Sequence, residues 1–449
     1  MQSSKPRALF TTRIGAIATT VGSAVGLGNI WRFPYEAGTH GGGAFMICYI
    51  AFIFVLGIPL LTAEYILGRA TRSNEIKTFK KLAPHTPWFL TGYIGLLASL
   101  LILSFYSVVA GWTLEFFFAS VTGQLPVEHD AIHANFTEFI TGDLRPLMWT
   151  LIFLAINYFI VSRGVQKGIE KISNLLTPLL FLLLIIFCIN SLLLPGASEG
   201  LSFLFNPDFS KLDSRALLGA MGQAFFSLSL GLGCMMTYAS YFPKSTHLGR
   251  TAAATALLDT AIAILAGVII FPAVFTYGIS PEAGPTLVFE TLPAIFMNLP
   301  GGIIWAALFF FLLFLASITS TISMSEISIA YFTEELHMGR RAATALCIGI
   351  AMVFGALCAL SFGSLSDMTV CGKTIFEAFD YLSSNICLPL GGMLIAIFTG
   401  WKLNREIAKV QLTNNSAFRF RLYKAMMFSI KYIAPAAIML IFLNSLGLV

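Results

Sequence analysis

The sequence predicts an all-α polytopic membrane protein of eleven spans, arranged as a 5+5 inverted repeat plus one added span. Three observations carry that prediction. Mean hydropathy is +0.82 and 11% of residues are charged, whereas a soluble domain carries about 25%. Apolar runs of about 20 residues, the length that crosses a bilayer, recur along the chain. Two of these runs, in opposite halves, are interrupted in the same way. The short alternating segments of a membrane β-barrel are absent.

Span 1, at 12–37, holds the first interruption, Gly22-Ser23-Ala24-Val25-Gly26-Leu27-Gly28-Asn29. A helix that unwinds there exposes backbone amides and carbonyls at mid-membrane depth, which is tolerable only where the break lines a buried cavity. Span 2, at 41–69, carries Gly57-Ile58-Pro59 and the carboxylate Glu64; span 3, at 88–121, carries Tyr106 and Trp112. Spans 4 and 5, at 146–162 and 167–194, complete the first five. Span 6, at 214–241, repeats the interruption as Ser227-Leu228-Ser229-Leu230-Gly231-Leu232-Gly233. Span 7, at 250–278, places Asp259 well inside its apolar run, and span 8, at 302–336, contains the polar stretch Ala316-Ser-Ile-Thr-Ser-Thr321. Spans 9 and 10, at 340–363 and 374–400, close the second five, and span 11 follows at 422–446. Runs longer than about 25 residues imply tilt or extension beyond the bilayer. The short, proline-bounded segment from Pro285 to Pro300 is expected as a surface or re-entrant hairpin.

Charge sets the orientation. With the N-terminus inside, 22 of the 27 Lys and Arg fall in inside segments. Outside loops then hold only Arg145, Lys211, Arg215 and Lys373, and Arg32 lies within a span. That bias predicts N-inside and C-outside. It also accounts for the net charge of +5 without nucleic-acid binding. An odd number of spans per repeat inverts the second set, so the two breaks face each other near the midplane. The whole chain, 1–449, reads as one transmembrane domain, with repeats at about 12–194 and 214–400. The seven cysteines form no CxxC and read as small buried hydrophobes, with no metal site. The first apolar run contains Gly, Asn and Arg32, so no cleavable signal peptide is expected.

Paired, interrupted spans are the sequence pointer to a transporter's binding site. The stretch Gly22 to Pro34, with Gly41-Gly-Gly-Ala-Phe45, Gly57-Ile-Pro59 and Glu64, resembles the neurotransmitter:sodium symporter family. Gly222 to Gly233 and Thr237-Tyr-Ala-Ser-Tyr241 resemble its sixth span, and eleven spans match its shorter prokaryotic members. The resemblance covers essentially the whole chain. It implies a leucine-transporter-type fold, in which a bundle of spans 1, 2, 6 and 7 rocks against a scaffold of spans 3, 4, 8 and 9. It also implies sodium-coupled amino-acid import across a bacterial inner membrane.

Residue by residue, the break in span 1 offers free N–H groups from Ala24 to Gly28 for a carboxylate, with Tyr106 as a phenolic donor. Carbonyls around Ala224 to Ser227 suit the amino group. By resemblance, one sodium takes Ala24, Asn29, Ser227 and Asp259, and a second takes Gly22, Val25, Ala316, Thr319 and Ser320; hard oxygen ligands suit such an ion. Taken alone, the Ser/Thr run of span 8 equally suits backbone hydrogen bonding or helix association, and Tyr106 equally suits an interfacial or core role. An intramembrane carboxylate such as Asp259 reads as functional, the alternative being a protonated acid bonded between helices. Animal relatives usually have asparagine there and need chloride, so Asp259 is expected to replace the anion and offers a proton-countertransport site.

Glu64 is expected to support the unwound span 1. Arg32 belongs to an outer gate whose span 10 partner falls at Ser383, with Asp380 one turn earlier. Arg7 and Glu334, with Tyr241 nearby, match the inner gate. The side-chain pocket is expected from Ser23, Leu27, Ile102, Tyr106, Phe226, Ser229, Leu232, Ser320 and Met324. Ser23 is taken as the position where monoamine carriers have aspartate, which points to a neutral hydrophobic amino acid, aliphatic or aromatic. No HExxH or metal-spaced Cys/His cluster supports an enzyme. A transport-inactive sensor or a channel on the same scaffold is the remaining alternative.

Overall fold

The computed structural model describes residues 8–278, 287–297, 299–417 and 420–446. Among them, nine continuous helices are long and apolar enough to cross a membrane: Gly43–Thr71, Phe89–Val121, Leu144–Val161, Val165–Leu192, Leu248–Thr276, Gly302–Glu334, Arg340–Leu360, Ile375–Lys402 and Tyr423–Ser445. These are spans 2–5 and 7–11. Span 1 is the bent pair Arg13–Ala24 and Gly28–Thr39, whose halves diverge by 55°. Span 6 is broken more widely, into Ser214–Ser227 and Cys234–Ala239. The helices start and stop within about three residues of the expected bounds because hydropathy and length together mark what a bilayer can cover.

Spans 3, 4, 8 and 9 pack on one another, with span 3 against span 8 as the most extensive contact. Spans 1, 2, 6 and 7 form a second group, and span 5 lies against spans 1, 7 and 8. Small residues permit the closest approaches, as expected where packing rather than hydrophobicity joins helices. At Gly111 of span 3, a Cβ would lie 2.8 Å from the Thr150 backbone nitrogen of span 4.

Two buried acids inside this apolar body are paired. Glu115 of span 3 accepts from Arg145 and from the Trp149 indole. Glu326 of span 8, fully buried, accepts from Arg340 at 2.8 Å and 2.5 Å and from the Tyr241 hydroxyl at 2.5 Å.

The described part of the expected hairpin is the short helical pair Leu287–Thr291 and Leu292–Met297. Its Leu292, Ile295 and Phe296 are buried, and Phe289 meets Trp112, Phe116, Phe136 and Phe310. It covers one end of spans 3 and 8 rather than standing clear of them; residues 285, 286 and 298 lie outside the described residues. Of the cysteines, Cys371 is exposed, in a turn between the two-residue strands Thr369–Val370 and Lys373–Thr374.

Replacing Gly111 by Leu should lower the thermal midpoint of the detergent-purified protein by several degrees. A side chain there has nowhere to go, and overpacking of a tight contact costs about 1–3 kcal/mol or more.

Candidate functional site

Both breaks are held by side chains from other spans. In span 1, Val25 leaves the helix at φ −69°, ψ 119°. The Leu27 N–H donates to the Tyr106 hydroxyl at 3.0 Å, and the Gly26 N–H to Asn29 Oδ1 at 3.1 Å. Ser320 of span 8 donates to the Val25 carbonyl at 2.9 Å, and Gln223 of span 6 to the Gly28 carbonyl at 3.2 Å. Each bond satisfies a backbone group that lipid could not. Gly26 is compelled by space: a Cβ there would lie 2.7 Å from Ser320 Oγ and 2.9 Å from the Tyr106 hydroxyl.

In span 6, Ser229, Gly231 and Gly233 turn the chain through positive φ, at 52°, 83° and 74°. Glu64 holds this break, accepting from Gly231 N at 2.9 Å and Met236 N at 3.3 Å. This corrects the expectation that Glu64 supports span 1. Span 2 packs closely against the second half of span 6, so its buried acid meets the freed N–H groups there.

Between the breaks lies a cavity of about 460 Å³. Ala24, Leu27, Gly28, Ile102, Tyr106, Phe226, Ser227, Ser229, Leu232, Ser320 and Met324 all line it, as do Asn29, Arg32 and Asp380. Ser23 does not. Its hydroxyl lies 3.1 Å from Cys234 Sγ, turned into the packing between the two broken spans, whereas Gly26 lines the cavity with Ala24, Leu27 and Gly28. A side chain at 26, not at 23, would project among Tyr106 and Ser320.

Several lining residues escaped the sequence reading: Phe105 and Val109 of span 3, and Phe376, Ser384 and Leu388 of span 10. Helical spacing could have found them. Residues 102, 105, 106 and 109 share one face, as do 376, 380, 384 and 388. That second face explains why Ser383 departs from expectation. Its hydroxyl donates back to Phe379 and Asp380 carbonyls and it is fully buried, whereas Asp380 faces the cavity and accepts from Ser384 at 2.8 Å.

Beside the cavity, Asn29 donates to Asp259 Oδ1 at 2.8 Å and to Ser227 Oγ at 3.0 Å. Ser227 donates to Asp259 Oδ2, and Tyr49 of span 2 donates to Ser227 Oγ at 3.3 Å. Asp259 and Asn29 are completely buried, so four spans close an oxygen-rich cluster away from lipid. Across span 1, Thr319 donates to the Ala316 carbonyl at 3.0 Å and Ser320 spans from Ala316 to Val25. A Cβ at Gly22 would lie 3.5 Å from that of Thr319. The residues expected for the second ion therefore converge where spans 1 and 8 meet.

At the mouth of the cavity, Arg32 lies 3.5 Å from Glu36 and 4.5 Å above the Phe226 ring. At the opposite end of the bundle, Glu334 accepts from Asn74 N at 2.9 Å and Nδ2 at 3.0 Å; Arg7 lies outside the described residues. Tyr241 donates to Glu326. The Glu326–Arg340 pair was missed, although an acid near the end of an apolar span was a visible signal.

The sequence profile described as "Sodium:neurotransmitter symporter family" matches residues 7–145 and 140–448. The chain is 40% identical to an uncharacterized sodium-dependent transporter, YhdH, of Bacillus subtilis, over all of this chain and 99% of that one. A similar transporter of Methanocaldococcus jannaschii is 31% identical over 90% of this chain and 85% of its own length. Among solved structures, MhsT in complex with L-phenylalanine superposes with a TM-score of 0.90 at 43% identity, covering 98% of this chain and 100% of that one.

Replacing Glu64 by Leu strands two buried N–H donors, at about 1–3 kcal/mol for each unsatisfied group. The expected outcome is a marked fall in thermal midpoint with the helical circular-dichroism signal retained.

Proposed function

We propose that this chain, which belongs to the sodium:neurotransmitter symporter family, couples sodium entry to import of a neutral hydrophobic amino acid. The family consists of membrane transporters rather than enzymes, and sodium dependence goes with it. The observation that carries the substrate reading is the make-up of the cavity wall. It combines the backbone of Gly26 to Gly28 and the Tyr106 hydroxyl with the apolar side chains of Ile102, Phe105, Val109, Phe226, Leu232 and Met324.

A carboxylate at the break in span 1 takes over the N–H groups and the positive end of the following half-helix. The amino group meets carbonyls at the end of Ser214–Ser227. The side chain lies against the apolar wall, where Met and Leu adapt to aliphatic or aromatic shapes. Acids do line the cavity, but Glu36 is paired with Arg32 and Asp380 accepts from Ser384. With glycine at 26, no acid replaces the substrate carboxylate, which disfavours amines that lack one. MhsT, the similar structure, holds L-phenylalanine, in keeping with this pocket.

Sodium travels as cargo. Asn29, Ser227 and Asp259, with the Ala24 carbonyl, hold the first ion; in the structure Asn29 Nδ2 and Ser227 Oγ donate to the Asp259 carboxylate while Asn29 Oδ1 accepts from Gly26 N–H, and a cation takes over as the charge partner of Asp259. Carbonyls of Gly22, Val25 and Ala316 with the hydroxyls of Thr319 and Ser320 hold the second. Asp259 supplies the negative charge that chloride would otherwise bring. Arg32 and Asp380 close the outer side, and Glu334 and Tyr241 the inner, as spans 1, 2, 6 and 7 rock against 3, 4, 8 and 9. The positive-inside bias puts the N-terminus in the cytoplasm and the C-terminus outside, in a bacterial inner membrane. The two breaks lie in the corresponding spans of two inverted five-span repeats within one transmembrane domain.

Sodium-gradient-driven accumulation of labelled L-phenylalanine and L-leucine in proteoliposomes tests this. Uptake that collapses when potassium replaces sodium is the expected result. Binding without accumulation for every neutral amino acid would favour a sensor on the same scaffold.

Two substitutions probe individual roles. Asp259→Asn should abolish chloride-free uptake or make it respond to chloride; unchanged chloride-free uptake would sink the anion-replacement role. Tyr106→Phe removes a hydrogen bond to a charged carboxylate, so substrate affinity should fall about tenfold or more, read by equilibrium binding.

A further inference from the structure

The break in span 6 lies between two buried carboxyls that are held very differently. Glu64 is satisfied by two backbone donors. Glu75, the first residue of the loop helix Glu75–Leu82, is 3% exposed, and neither of its oxygens has a hydrogen-bond partner among the described residues. It is wedged between span 3 and the break. A methyl group at Gly95 or at Gly233 would collide with Glu75 Oε2, and the same position at Gly95 lies 2.9 Å from the Leu232 carbonyl oxygen. Leu232 lines the cavity, so Glu75 stands directly behind the cavity wall.

The surrounding charged groups are engaged elsewhere. On its own helix, Lys77 and Lys80 pair with Glu335, and Lys81 donates to the Thr71 carbonyl. On span 2, Arg69 donates to Thr246 and Gln411, and Glu64 adds a second acid. Tyr93 of span 3 meets Tyr331 of span 8, Glu326 is paired with Arg340, and Glu334 binds Asn74. From span 6 come Cys234, against Ser23, and Tyr241, on Glu326, with Tyr238 buried beside Phe10. Burial, and after it the charge of Glu64, push the Glu75 carboxyl well above the ordinary carboxylate range.

We propose that Glu75 is a proton-binding site. Its carboxyl is protonated while span 6 is packed as seen here, with the Leu232 carbonyl as the neighbouring acceptor. When the Cys234–Ala239 half of span 6 separates from span 3, the O–H bond breaks, the proton passes to water, and the carboxylate is hydrated. Proton loss and return both run through the face that carries the loop helix. The site therefore makes opening of that face pH-dependent instead of carrying protons across. Through Leu232, the same proton bears on the substrate pocket; this last link rests on the amino-acid reading above, whereas the proton site does not.

Thermal unfolding of the full-length protein in detergent, from about pH 5 to pH 9, separates the two. A carboxyl whose folded pKa is raised binds its proton more tightly in the folded state. Wild-type stability then falls as pH rises above the unfolded value of about 4.3 and levels off above the folded value. Glu75→Gln, a neutral isostere of the protonated form, should lack that fall, so its midpoint advantage over wild type should widen with pH. Glu75→Asp should keep the fall. Parallel curves for wild type and Glu75→Gln would overturn the proposal, as would failure of Glu75→Gln to fold, since the neutral form is the one assigned to the packed state.

Sodium-dependent binding of L-phenylalanine by the same proteins reads the coupling. Wild-type affinity should fall with pH by up to about tenfold per unit, and Glu75→Gln should hold its affinity. Equal slopes would overturn the coupling. A widening stability gap with no binding of L-phenylalanine, L-leucine or any other neutral amino acid would instead remove the amino-acid reading and leave the proton site standing.

Discussion

Backbone amides and carbonyls released inside a bilayer must find partners within the protein, and this requirement organises the molecule around its two broken spans. Continuous helices meet it locally, each within itself. At residues 25–28 and 228–233 the chain cannot. The partners come from distant spans: Tyr106 from span 3, Gln223 from span 6, Ser320 from span 8 and Glu64 from span 2. Polar side chains that would be costly in a plain transmembrane helix are stable here because each meets an orphaned backbone group.

The same requirement makes the site responsive. A group that holds a break in one packing arrangement can exchange it for a ligand in another. Ser320 bonds Val25 directly, and Asn29 and Ser227 bond Asp259; these are oxygen and amide groups of the kind a sodium ion or a carboxylate recruits. Span 6 connects the cavity to the loop side of the bundle, with the Leu232 side chain in the cavity and Glu64 and Glu75 behind its backbone. The cavity lining, the Ser227–Asp259 hydrogen bond and both buried acids thus meet on one short stretch of chain.

Much of the fold was legible before any coordinates. Apolar length and charge bias mark spans because a bilayer imposes a narrow thickness and forbids stray charge. Both breaks were legible too, since Gly-x-Gly with hydroxyl and amide neighbours is anomalous in a lipid-facing helix. Most cavity residues followed from motif register. The errors came where register alone does not fix direction. Ser23 and Gly26 are three apart across an unwound segment, so helical periodicity cannot say which faces inward. Ser383 lies off the face shared by Phe376, Asp380 and Ser384, so Asp380 takes the cavity side.

By itself, then, the sequence determined the class of protein, its spans, the location of both breaks and the chemical character of the site. These depend on hydropathy, charge and glycine content, which are local properties of the chain. Only the tertiary structure decided which break each buried acid serves. Glu64 grips span 6 because span 2 packs there, Glu326 meets Arg340 and Tyr241, and Glu75 behind Leu232 has no hydrogen-bond partner among the described residues. Such pairings depend on which helices touch and how they are rotated, and in an all-apolar environment no single span's sequence specifies its neighbour.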